Sequence, residues 1–450
     1  MKLADIQKVY LVGVGGIGMS GLARYFHHIG CLVSGYDKTE TPLTLALKAE
    51  GIAVNYTDNV EYIEADFKIN SSNTLIIYTP AIPASSPILN YFKLNGFELQ
   101  KRSQVLGILS QGMFTIAVAG THGKTTTSCL IAHILQSSGN NCSAFLGGIS
   151  SNYNTNVLFG NNNVLVVEAD EYDRSFLTLH PDISIITSMD ADHLDIYGDE
   201  SHLVQSFQLF ASQIKPNGHI IKKQGLNLPN GTTYSIAGKA DAEAQNIRVE
   251  NGVFVFDFKN KNIDIKGLIL GLPGQHNIEN AVAAIQVALL LDIDENRIRE
   301  ALHSFKGVKR RFEYQLKADK IYVDDYAHHP EELKACFTAI RTLYPHKELT
   351  VIFQPHLFTR TRDFADDFAL VLSTVDDLVL LDIYPARELP IENVNSQMLI
   401  DKISLINKQI CTKQQALDYI KNKQPQLLLT VGAGDIDTLV LPLKIILQNG

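Results

Sequence analysis

A glycine-rich segment near residue 120 combines residue types that bind and transfer phosphate groups. It follows the apolar run Phe114–Ala119, precedes a helical pattern, and reads Gly120-Thr121-His122-Gly123-Lys124-Thr125-Thr126. The N–H groups of such a turn and the helix N-terminus attract phosphate oxygens. Lys124 can reach the β- and γ-phosphates, and the Thr125 hydroxyl can ligate a metal ion. The pattern predicts a nucleoside triphosphate site rather than a chance turn, although Val118 stands where the general motif has its first glycine.

A second glycine cluster lies near the N-terminus. The apolar run Val9–Val12 leads into Gly13-Val14-Gly15-Gly16-Ile17-Gly18, and a second apolar strand pattern ends in Asp37. This is the dinucleotide fingerprint, in which an acid after the second strand binds a ribose hydroxyl. The motif predicts a bound diphosphate, but NAD, FAD and a UDP-sugar all present one. A tight turn without a ligand is the remaining alternative.

Acidic residues and a histidine follow two further apolar runs. Glu168 comes directly after Val164–Val167, and Asp192, His193 and Asp195 come shortly after the run Ile183–Thr187. A strand end beside a phosphate loop is where a metal-binding carboxylate belongs. Oxygen ligands favour Mg²⁺, and a histidine is also compatible with Mn²⁺. Solvated loop acids are the alternative for each residue.

Polar residues also begin a helix after Gly274 and follow four strand patterns near the C-terminus. His276, Asn277 and Asn280 lie within the first turns of that helix, where they can cap it or contact an adenine edge. The strand ends carry Asp325 with His328, His356 with Arg360, Arg387 with Glu388, and Gly432 to Asp435. Polar groups on one edge of a sheet form a crevice, and this mixture of charges suits a zwitterion such as an amino acid. Ordinary loop polarity is the alternative.

Composition excludes several classes of protein. The chain has 450 residues, of which 45% are hydrophobic, and a formal charge of −9, so it lacks the basic footprint of nucleic-acid binding. Five cysteines without metal-ligand spacing indicate reduced thiols in a cytoplasmic protein. No apolar stretch is long enough to span a membrane, so we expect no membrane insertion.

Strand and helix patterns alternate throughout, which predicts an α/β protein with parallel, doubly wound sheets. The patterns divide the chain into residues 1–109, a Rossmann-like domain; 110–306, a P-loop domain with a β-rich patch between Ile220 and Leu270; and 307–450, a second Rossmann-like domain. Within the middle domain, the Asn- and Ser-rich stretch from Ser150 to Asn163 is predicted to be a loop.

The motifs in this order resemble those of the Mur ligase family over nearly the whole chain. They are Gly13 to Ser20, Gly120 to Thr127, Glu168 to Glu171, Asp192 to Asp195, Gly274 to Asn277, Arg310 to Glu313, Asp324 to Pro330 and Gly432 to Ile436. The resemblance implies an N-terminal UDP-binding domain, a central ATPase domain and a C-terminal domain that binds the amino acid and closes over ATP.

Within that family the chain is most similar to the alanine-adding branch. Several relatives that add later residues use a carbamylated lysine soon after the position of His193, and here no lysine occurs between His193 and Lys215. The resemblance implies that ATP drives the joining of L-alanine to the lactyl carboxylate of UDP-N-acetylmuramate through an acyl phosphate, with Mg²⁺ or possible Mn²⁺, in peptidoglycan precursor synthesis. It leaves a monomer and a homodimer open.

The expected site residues form four groups. Lys124, Glu168 and His193 are expected to be catalytic, and Thr125, Glu168 and His193 to bind the metal. ATP is expected to contact Gly120, Thr121, His122, Gly123, Lys124, Thr125, Thr126, His276, Asn277, Asn280, Arg311 and Asp325. The UDP-sugar is expected to contact Gly15, Gly16, Ile17, Gly18, Asp37, Thr79 and Ala81, and the amino acid His328, His356, Arg360, Arg387 and Glu388. Leu357 departs from the basic residue that the family often has after His356.

Three rival functions remain at this stage. A nicotinamide-dependent dehydrogenase explains the N-terminal glycines but not the phosphate loop. A P-loop motor or transport ATPase explains that loop but not the C-terminal crevice. Within the family, the ligase that attaches a recycled tripeptide to the same UDP-sugar is closest, but Ile17-Gly18-Met19-Ser20 favours the single-amino-acid enzyme.

Overall fold

The structure is a computed structural model that describes residues 5–69, 72–190, 197, 199–228, 230–386 and 388–449. Within these ranges the chain forms three β-sheets, of five, ten and six strands, so the predicted α/β class is confirmed. The chain divides into two compact units. One comprises Met1–Gln245, Asp257–Leu268 and Glu279–Phe305, and the other Asn246–Phe256, Ile269–Ile278 and Lys306–Gly450. The domain boundaries at 109/110 and 306/307 stay a prediction.

The first sheet is parallel and has the strand order β3-β2-β1-β4-β5. Its strands are β1 (Lys8–Val12), β2 (Leu32–Tyr36), β3 (Ala53–Asn55), β4 (Thr74–Tyr78) and β5 (Glu98–Lys101). The accompanying helices are α1 (Ile17–His28), α2 (Pro42–Ala49), α3 (Ala65–Lys68), α4 (Pro87–Leu94) and α5 (Arg102–Gly112). The order reverses between β1 and β4, and a doubly wound sheet binds its ligand at that point.

Helices cover both faces of this sheet because residues Val9 to Val12 of β1 are apolar without alternation. Val9 and Leu11 are buried in one cluster with Phe26 of α1. Tyr10 and Val12 are buried in a second cluster with residues of α3 and α4. Successive side chains of a strand point to opposite faces, so an uninterrupted apolar run specifies a strand that is buried on both sides.

The central sheet has the order β15-β14-β13-β12-β11-β10-β6-β9-β7-β8. Its strands are β6 (Phe114–Ala119), β7 (Ser143–Ser150), β8 (Thr155–Leu158), β9 (Val164–Glu168), β10 (Ile183–Ile186), β11 (His219–Lys223), β12 (Thr232–Ser235), β13 (Ala242–Glu250), β14 (Val253–Asn260) and β15 (Asp264–Leu270). The helices are α6 (Lys124–Ser137), α7 (Glu200–Ser212), α8 (Gln275–Leu290) and α9 (Glu295–Ser304), with a 3₁₀ helix at Tyr172–Thr178. Strand β6 lies between β10 and β9 and is parallel to both.

The prediction of a loop from Ser150 to Asn163 was wrong in part, because this stretch contains β8. Strand β8 pairs antiparallel with β7 and forms a hairpin at the edge of the central sheet. Val157 and Leu158 are buried there, so tertiary packing outweighs the loop propensity of the neighbouring asparagines. The predicted β-rich patch is confirmed as β11 to β15.

The third sheet has the order β16-β17-β21-β18-β19-β20 and is parallel except for the antiparallel edge strand β16. Its strands are β16 (Glu313–Lys317), β17 (Ile321–Asp325), β18 (Leu349–Phe353), β19 (Asp377–Leu380), β20 (Lys408–Ile410) and β21 (Leu427–Val431). The helices are α10 (Pro330–Leu343), α11 (Phe358–Asp363), α12 (Ala365–Leu372), α13 (Ser396–Lys402), α14 (Lys413–Lys423) and α15 (Val440–Asn449). Among the described residues, no helix has the length and apolar character needed to cross a membrane.

Candidate active site

The phosphate loop connects β6 to α6 through a backbone that requires glycine at two positions. Gly120 has a φ of 135° and Gly123 a φ of 83°. An added Cβ on Gly120 would lie 2.1 Å from Thr187 Oγ1, and one on Gly123 would lie 2.8 Å from Asn280 Oδ1. The loop is therefore packed closely against Thr187 and against Asn280 of α8, and the predicted contact of Asn280 with the nucleotide stays a prediction.

Two hydroxyl residues at the end of β10 hold the loop in place. Thr187 Oγ1 donates to Ala119 O at 3.1 Å, and the His122 N–H donates to Ser188 Oγ at 2.7 Å. Ser188 Oγ also lies 2.9 Å from Thr121 Oγ1. The sequence analysis did not predict that Thr187 and Ser188 hold the loop. They could have been found because they follow the apolar run of β10, and in a doubly wound sheet the ends of the strands that flank the P-loop strand lie next to the ligand.

Lys124 is held by a buried carboxylate. Its Nζ donates to Gly120 O at 2.6 Å and lies 2.9 Å from Glu171 Oε1 and 2.8 Å from Oε2. The Glu171 side chain is only 1% exposed. Desolvation by burial acts to lower the pKa of Lys124, but nearby carboxylates, Glu171 foremost, outweigh it and raise the pKa above its usual value. The residue is therefore a protonated ammonium at neutral pH, as phosphate binding requires.

Glu168 lies at the end of β9, where its backbone pairs with Val118 of β6. Its Oε2 accepts a hydrogen bond from the Gly147 N–H at 3.1 Å, and an added Cβ on Gly147 would lie 2.2 Å from the same oxygen. Glu168 and the Thr125 hydroxyl are hard oxygen donors of the kind that Mg²⁺ binds, so the residues present fit that ion. Among the described residues, no group of three or more histidines, cysteines or acids is close enough to bind a metal. His193, Asp192 and Asp195 lie outside the described residues.

The N-terminal glycine loop is held by a carboxylate that follows β2. Gly15 N–H donates to Asp37 Oδ2 at 2.7 Å, and the Thr39 N–H donates to Oδ1 at 3.2 Å. Gly16 is the exposed N-cap of α1, which begins at Ile17. Asp37 therefore fixes the conformation of the loop. The sequence analysis predicted only a contact with the ribose and did not predict this role.

Two further segments meet this loop. An added Cβ on Gly13 would lie 2.6 Å from Thr79 Cγ2, so the turn that contains Thr79 and the exposed Ala81 adjoins the glycines. An added Cβ on Gly18 would lie 2.8 Å from Arg102 Nη1. Sequence reasoning missed Arg102, whose guanidinium adds positive charge to the start of α1 and also lies 3.5 Å from Asp170.

Asp325 ends β17 and fixes the backbone of the arginine-rich segment before β16. Its Oδ2 accepts from the Phe312 N–H and its Oδ1 from the Ala327 N–H, both at 2.7 Å. Burial raises the pKa of Asp325 to about 6, against the opposing effect of Arg311. Asp325 thus has a structural role in addition to the expected nucleotide contact.

The structure brings together four of the five residues expected to bind the amino acid. The His328 and His356 rings are 5.8 Å apart, and Arg360 Nη1 lies 3.4 Å from His356 Nδ1. Burial lowers the pKa of His356 to about 4, so its imidazole is neutral at pH 7. Glu388 Oε2 accepts from the Thr359 N–H at 3.0 Å, which places its carboxylate at the start of α11.

Arg387 and Leu357 are the remaining residues of interest in this region. Arg387 lies outside the described residues. Leu357 has a φ of 72°, a conformation that costs about 1–3 kcal/mol for a residue other than glycine and persists where the surroundings impose it.

The start of α8 contains the remaining expected nucleotide contacts. Asn277 Nδ2 donates to Pro273 O at 2.5 Å, so this side chain stabilises the start of the helix. Burial lowers the pKa of His276 to about 4, and the charges of Arg311 and Glu332 also act on it. The neutral imidazole of His276 can therefore donate or accept a hydrogen bond.

Three family models match the chain in succession. They describe the "Mur ligase family, catalytic domain" at residues 8–113, the "Mur ligase middle domain" at 118–288 and the "Mur ligase, glutamate ligase domain" at 310–434. The chain belongs to the Mur ligase family. The resemblance inferred from the ordered motifs is thereby confirmed, and so is the three-part α/β architecture that it implied.

Individual Mur ligases match over nearly their full length. A UDP-N-acetylmuramate–L-alanine ligase of Flavobacterium psychrophilum is 49% identical and is covered over 99% of each chain. That of Christiangramia forsetii is 49% identical over 96% of each chain. The crystal structure of the UDP-N-acetylmuramate-alanine ligase of Thermotoga maritima has a TM-score of 0.83 and 26% identity, with 98% of this chain and 99% of that chain covered.

Proposed function

We propose that this Mur ligase joins L-alanine to the lactyl carboxylate of UDP-N-acetylmuramate, with hydrolysis of ATP to ADP and phosphate, in peptidoglycan precursor synthesis. The observation that carries the proposal is the presence of two glycine-rich strand–turn–helix loops in one compact unit, with a charged lysine in only one of them. One loop suits the triphosphate that is cleaved, and the other suits a diphosphate that passes through the reaction unchanged. The names of the similar full-length ligases support the choice of substrates.

The chemistry requires activation because a carboxylate is a poor electrophile. The lactyl carboxylate attacks the γ-phosphorus of ATP, the bond to the β-phosphate oxygen breaks, and ADP leaves behind an acyl phosphate. The uncharged amine of L-alanine then attacks the acyl carbon, loses a proton and expels phosphate. In total, the phosphoanhydride bond between the β- and γ-phosphates of one ATP is broken and one amide bond is formed.

The residues of the triphosphate loop stabilise the charge that moves during phosphoryl transfer. Lys124 is already protonated and its Nζ lies 2.6 Å from Gly120 O, so a full positive charge is in place beside the loop before ATP binds. Loop N–H groups and the start of α6 add partial positive charge. Mg²⁺, held by Thr125 and Glu168 together with His193, would supply further neutralisation of the phosphates.

The other substrates are assigned to different elements. We place the diphosphate of the sugar nucleotide at the start of α1, beside Gly16 and within reach of Arg102. We place L-alanine among His328, His356, Arg360 and Glu388, with Arg387 as a further contact, and the adenosine near His276 and Asn280. The site must exclude water, which otherwise hydrolyses an acyl phosphate.

We also propose that the ligase works in the cytoplasm as a monomer or homodimer, without nucleic acid or membrane insertion. All five cysteines are buried and none forms a disulfide, which suits a reducing compartment. Burial raises the pKa of the Cys142 thiol to about 12, so this thiol is inert at neutral pH.

Phosphate release from ATP tests the proposal directly. The enzyme is given Mg²⁺ and UDP-N-acetylmuramate, with L-alanine, L-serine, glycine, D-glutamate or the recycled tripeptide added separately. We expect the greatest release with L-alanine and a product heavier by one alanyl residue. Stimulation by the tripeptide alone would reassign the chain to the recycling ligase, and hydrolysis that ignores both sugar and acceptor would refute the proposal.

A further inference from the structure

The hairpin of β7 and β8 packs against α1, the helix that follows the diphosphate loop. Phe145 of β7 lies on Tyr25 with ring centroids 5.6 Å apart, and Phe159 after β8 stacks on His28 at 4.1 Å. An added Cβ on Gly21 would approach Phe145 Cδ1 at 3.4 Å, so glycine occurs where the hairpin comes closest. The two elements belong to the same compact unit and share a packed interface.

One polar side chain fixes the register of this interface. Asn156 of β8 is 1% exposed. Its Nδ2 donates to Ile17 O at 2.6 Å and to Ser20 Oγ at 3.4 Å, and its Oδ1 accepts from Arg24 Nη1 at 2.8 Å. Residues 17, 20 and 24 lie on one face of α1, so the amide binds the helix at three points along that face.

The Asn156 contacts reach the first turn of α1, which is the anion-binding end of the helix. Ile17 directly follows the N-cap Gly16. Arg24 is itself held by Glu50 through two hydrogen bonds, of 2.7 Å and 2.8 Å. The helix therefore cannot rotate or slide on the hairpin without breaking buried hydrogen bonds, each of which is costly to leave unmade.

The other strand of the same hairpin positions the carboxylate that we assign to the metal. The Gly147 N–H of β7 donates to Glu168 Oε2 at 3.1 Å, and the absence of a side chain at Gly147 is what allows this approach. A single two-stranded element thus contacts the start of α1 on one strand and Glu168 on the other.

We propose that Asn156 is a positioning residue for the ligase reaction. Through the hairpin it sets the distance between the diphosphate loop and Glu168, and hence aligns the lactyl carboxylate of the bound sugar nucleotide with the γ-phosphate. The inference rests on the proposed function. Reacting groups must lie within a fraction of an ångström of their productive geometry, and a displacement of about 1 Å costs on the order of 10²-fold in rate.

The substitution Asn156→Ala tests this role, because a positioning residue should affect kcat but not the affinity for either ligand. We expect kcat to fall about 10- to 100-fold, while the Kd for Mg-ADP and the Kd for UDP-N-acetylmuramate, each measured alone, change by less than about threefold. Each ligand still has its own loop, and only their alignment is lost. Asn156→Ser, which cannot reach Ile17 O, serves as the second variant if the alanine protein does not fold.

Asn152 provides a matched control in the same hairpin connection. Its Nδ2 donates to Ser304 O at 2.8 Å, a residue of α9 rather than α1. Asn152→Ala also removes a side-chain hydrogen bond and is expected to leave kcat within about twofold of the wild type. An equal loss in both variants, or a loss of kcat accompanied by weaker binding of both ligands, would show a purely structural role and overturn the proposal.

Hydrogen–deuterium exchange gives a readout that needs neither ligand nor activity. Amides in the first turns of α1 should exchange faster in Asn156→Ala than in the wild type or in Asn152→Ala. If the wild type shows no sugar-dependent turnover, the proposed function is wrong and the positioning role falls with it. Normal wild-type turnover together with unchanged kcat and exchange in Asn156→Ala would overturn the positioning role alone.

Discussion

The two glycine-rich loops that we assign to phosphate groups share a strand–turn–helix design but differ in the charged side chains that surround them. In the N-terminal loop, Gly15 donates to the carboxylate of Asp37, and the segment Gly13–Gly18 contains no basic residue. In the central loop, Lys124 lies between Gly120 O and the buried Glu171. Sheet topology is therefore not what distinguishes the two loops. The difference lies in the side chains that neighbouring strands and turns bring to each.

Binding a diphosphate and transferring a phosphoryl group require different charges near the loop. A diphosphate that remains intact needs only N–H groups, a helix N-terminus and nearby positive charge such as Arg102. A phosphoryl group that is transferred needs a full charge that is fixed in advance where new negative charge develops. Glu171 serves that need because it keeps a lysine charged in a buried position. We expect substitutions in the two loops to affect different steps.

Replacement of Lys124 by alanine should have the largest effect. Loss of the ammonium should lower kcat by about 10³-fold, because the charge acts mainly on the transition state. The affinity for UDP-N-acetylmuramate, measured by calorimetry, should remain unchanged since that ligand uses the other loop. A variant with normal turnover would contradict both the site and the comparison.

Gly120→Ala should follow in size. The φ of 135° is accessible essentially only to glycine, and the new Cβ would lie 2.1 Å from Thr187 Oγ1. We expect the KM for ATP to rise by about 10²-fold. Gly112→Ala is the matched control, because Gly112 does not have a positive φ, no atom lies within 4 Å of an added Cβ, and the residue is not assigned to either ligand. An equal rise of the KM for ATP in both variants would show that the steric conflict at Gly120 is not the cause.

Asp37→Ala should produce a smaller and more selective loss. It removes the acceptor for the Gly15 N–H, and the Kd for the sugar nucleotide should rise about tenfold while the KM for ATP is unchanged. Asp37→Asn retains an acceptor oxygen and should remain close to the wild type. If ATP binding weakens as much as sugar-nucleotide binding, the two loops are not independent in this respect.

His133 gives the smallest predicted effect, on stability rather than on rate. It lies on α6, where Nδ1 is 2.9 Å from the Tyr153 hydroxyl and Nε2 is 3.0 Å from Ser304 Oγ. Burial lowers the pKa of His133 to about 4, against about 6.5 in the unfolded chain. The unfolded chain binds the additional proton between these pH values, so the free energy of unfolding should decrease as pH falls from 6.5 to 4, by at most about 3 kcal/mol.

Urea denaturation of the wild type and of His133→Gln at pH 7 and pH 5 checks this expectation. Glutamine hydrogen-bonds but does not titrate, so the variant should lose less stability on acidification. A pH dependence that is identical in the two proteins would show that the buried imidazole contributes nothing.

The sequence was sufficient for the parts of the site that are local. Glycines, Lys124 and Thr125 are consecutive, and a strand and a helix flank them, so loop and fold class could both be predicted. The metal-binding role of Glu168 was predicted because a carboxylate that ends a buried strand lies at the ligand edge of the sheet, and it stays a prediction.

Contacts between segments that are distant in the sequence could not be predicted from local motifs. Thr187 and Ser188 were not assigned to the phosphate loop, because only the pairing of β10 with β6 brings them there. Asn156 was assigned to a loop, since asparagine favours turns locally and its strand is formed by packing on α1 and β7. The second role of Asp37 depends on a backbone N–H of another segment, which composition and spacing do not show.

The division into two compact units also bears on how such enzymes diversify. Both phosphate loops lie in the first unit, and the side chains that we assign to the amino acid, His328, His356, Arg360 and Glu388, lie in the second. A change of acceptor can then arise from mutations in one unit while the phosphoryl-transfer machinery is inherited intact. Modularity of this kind lets a single ancestral design supply several ligases that differ in the amino acid or peptide they join.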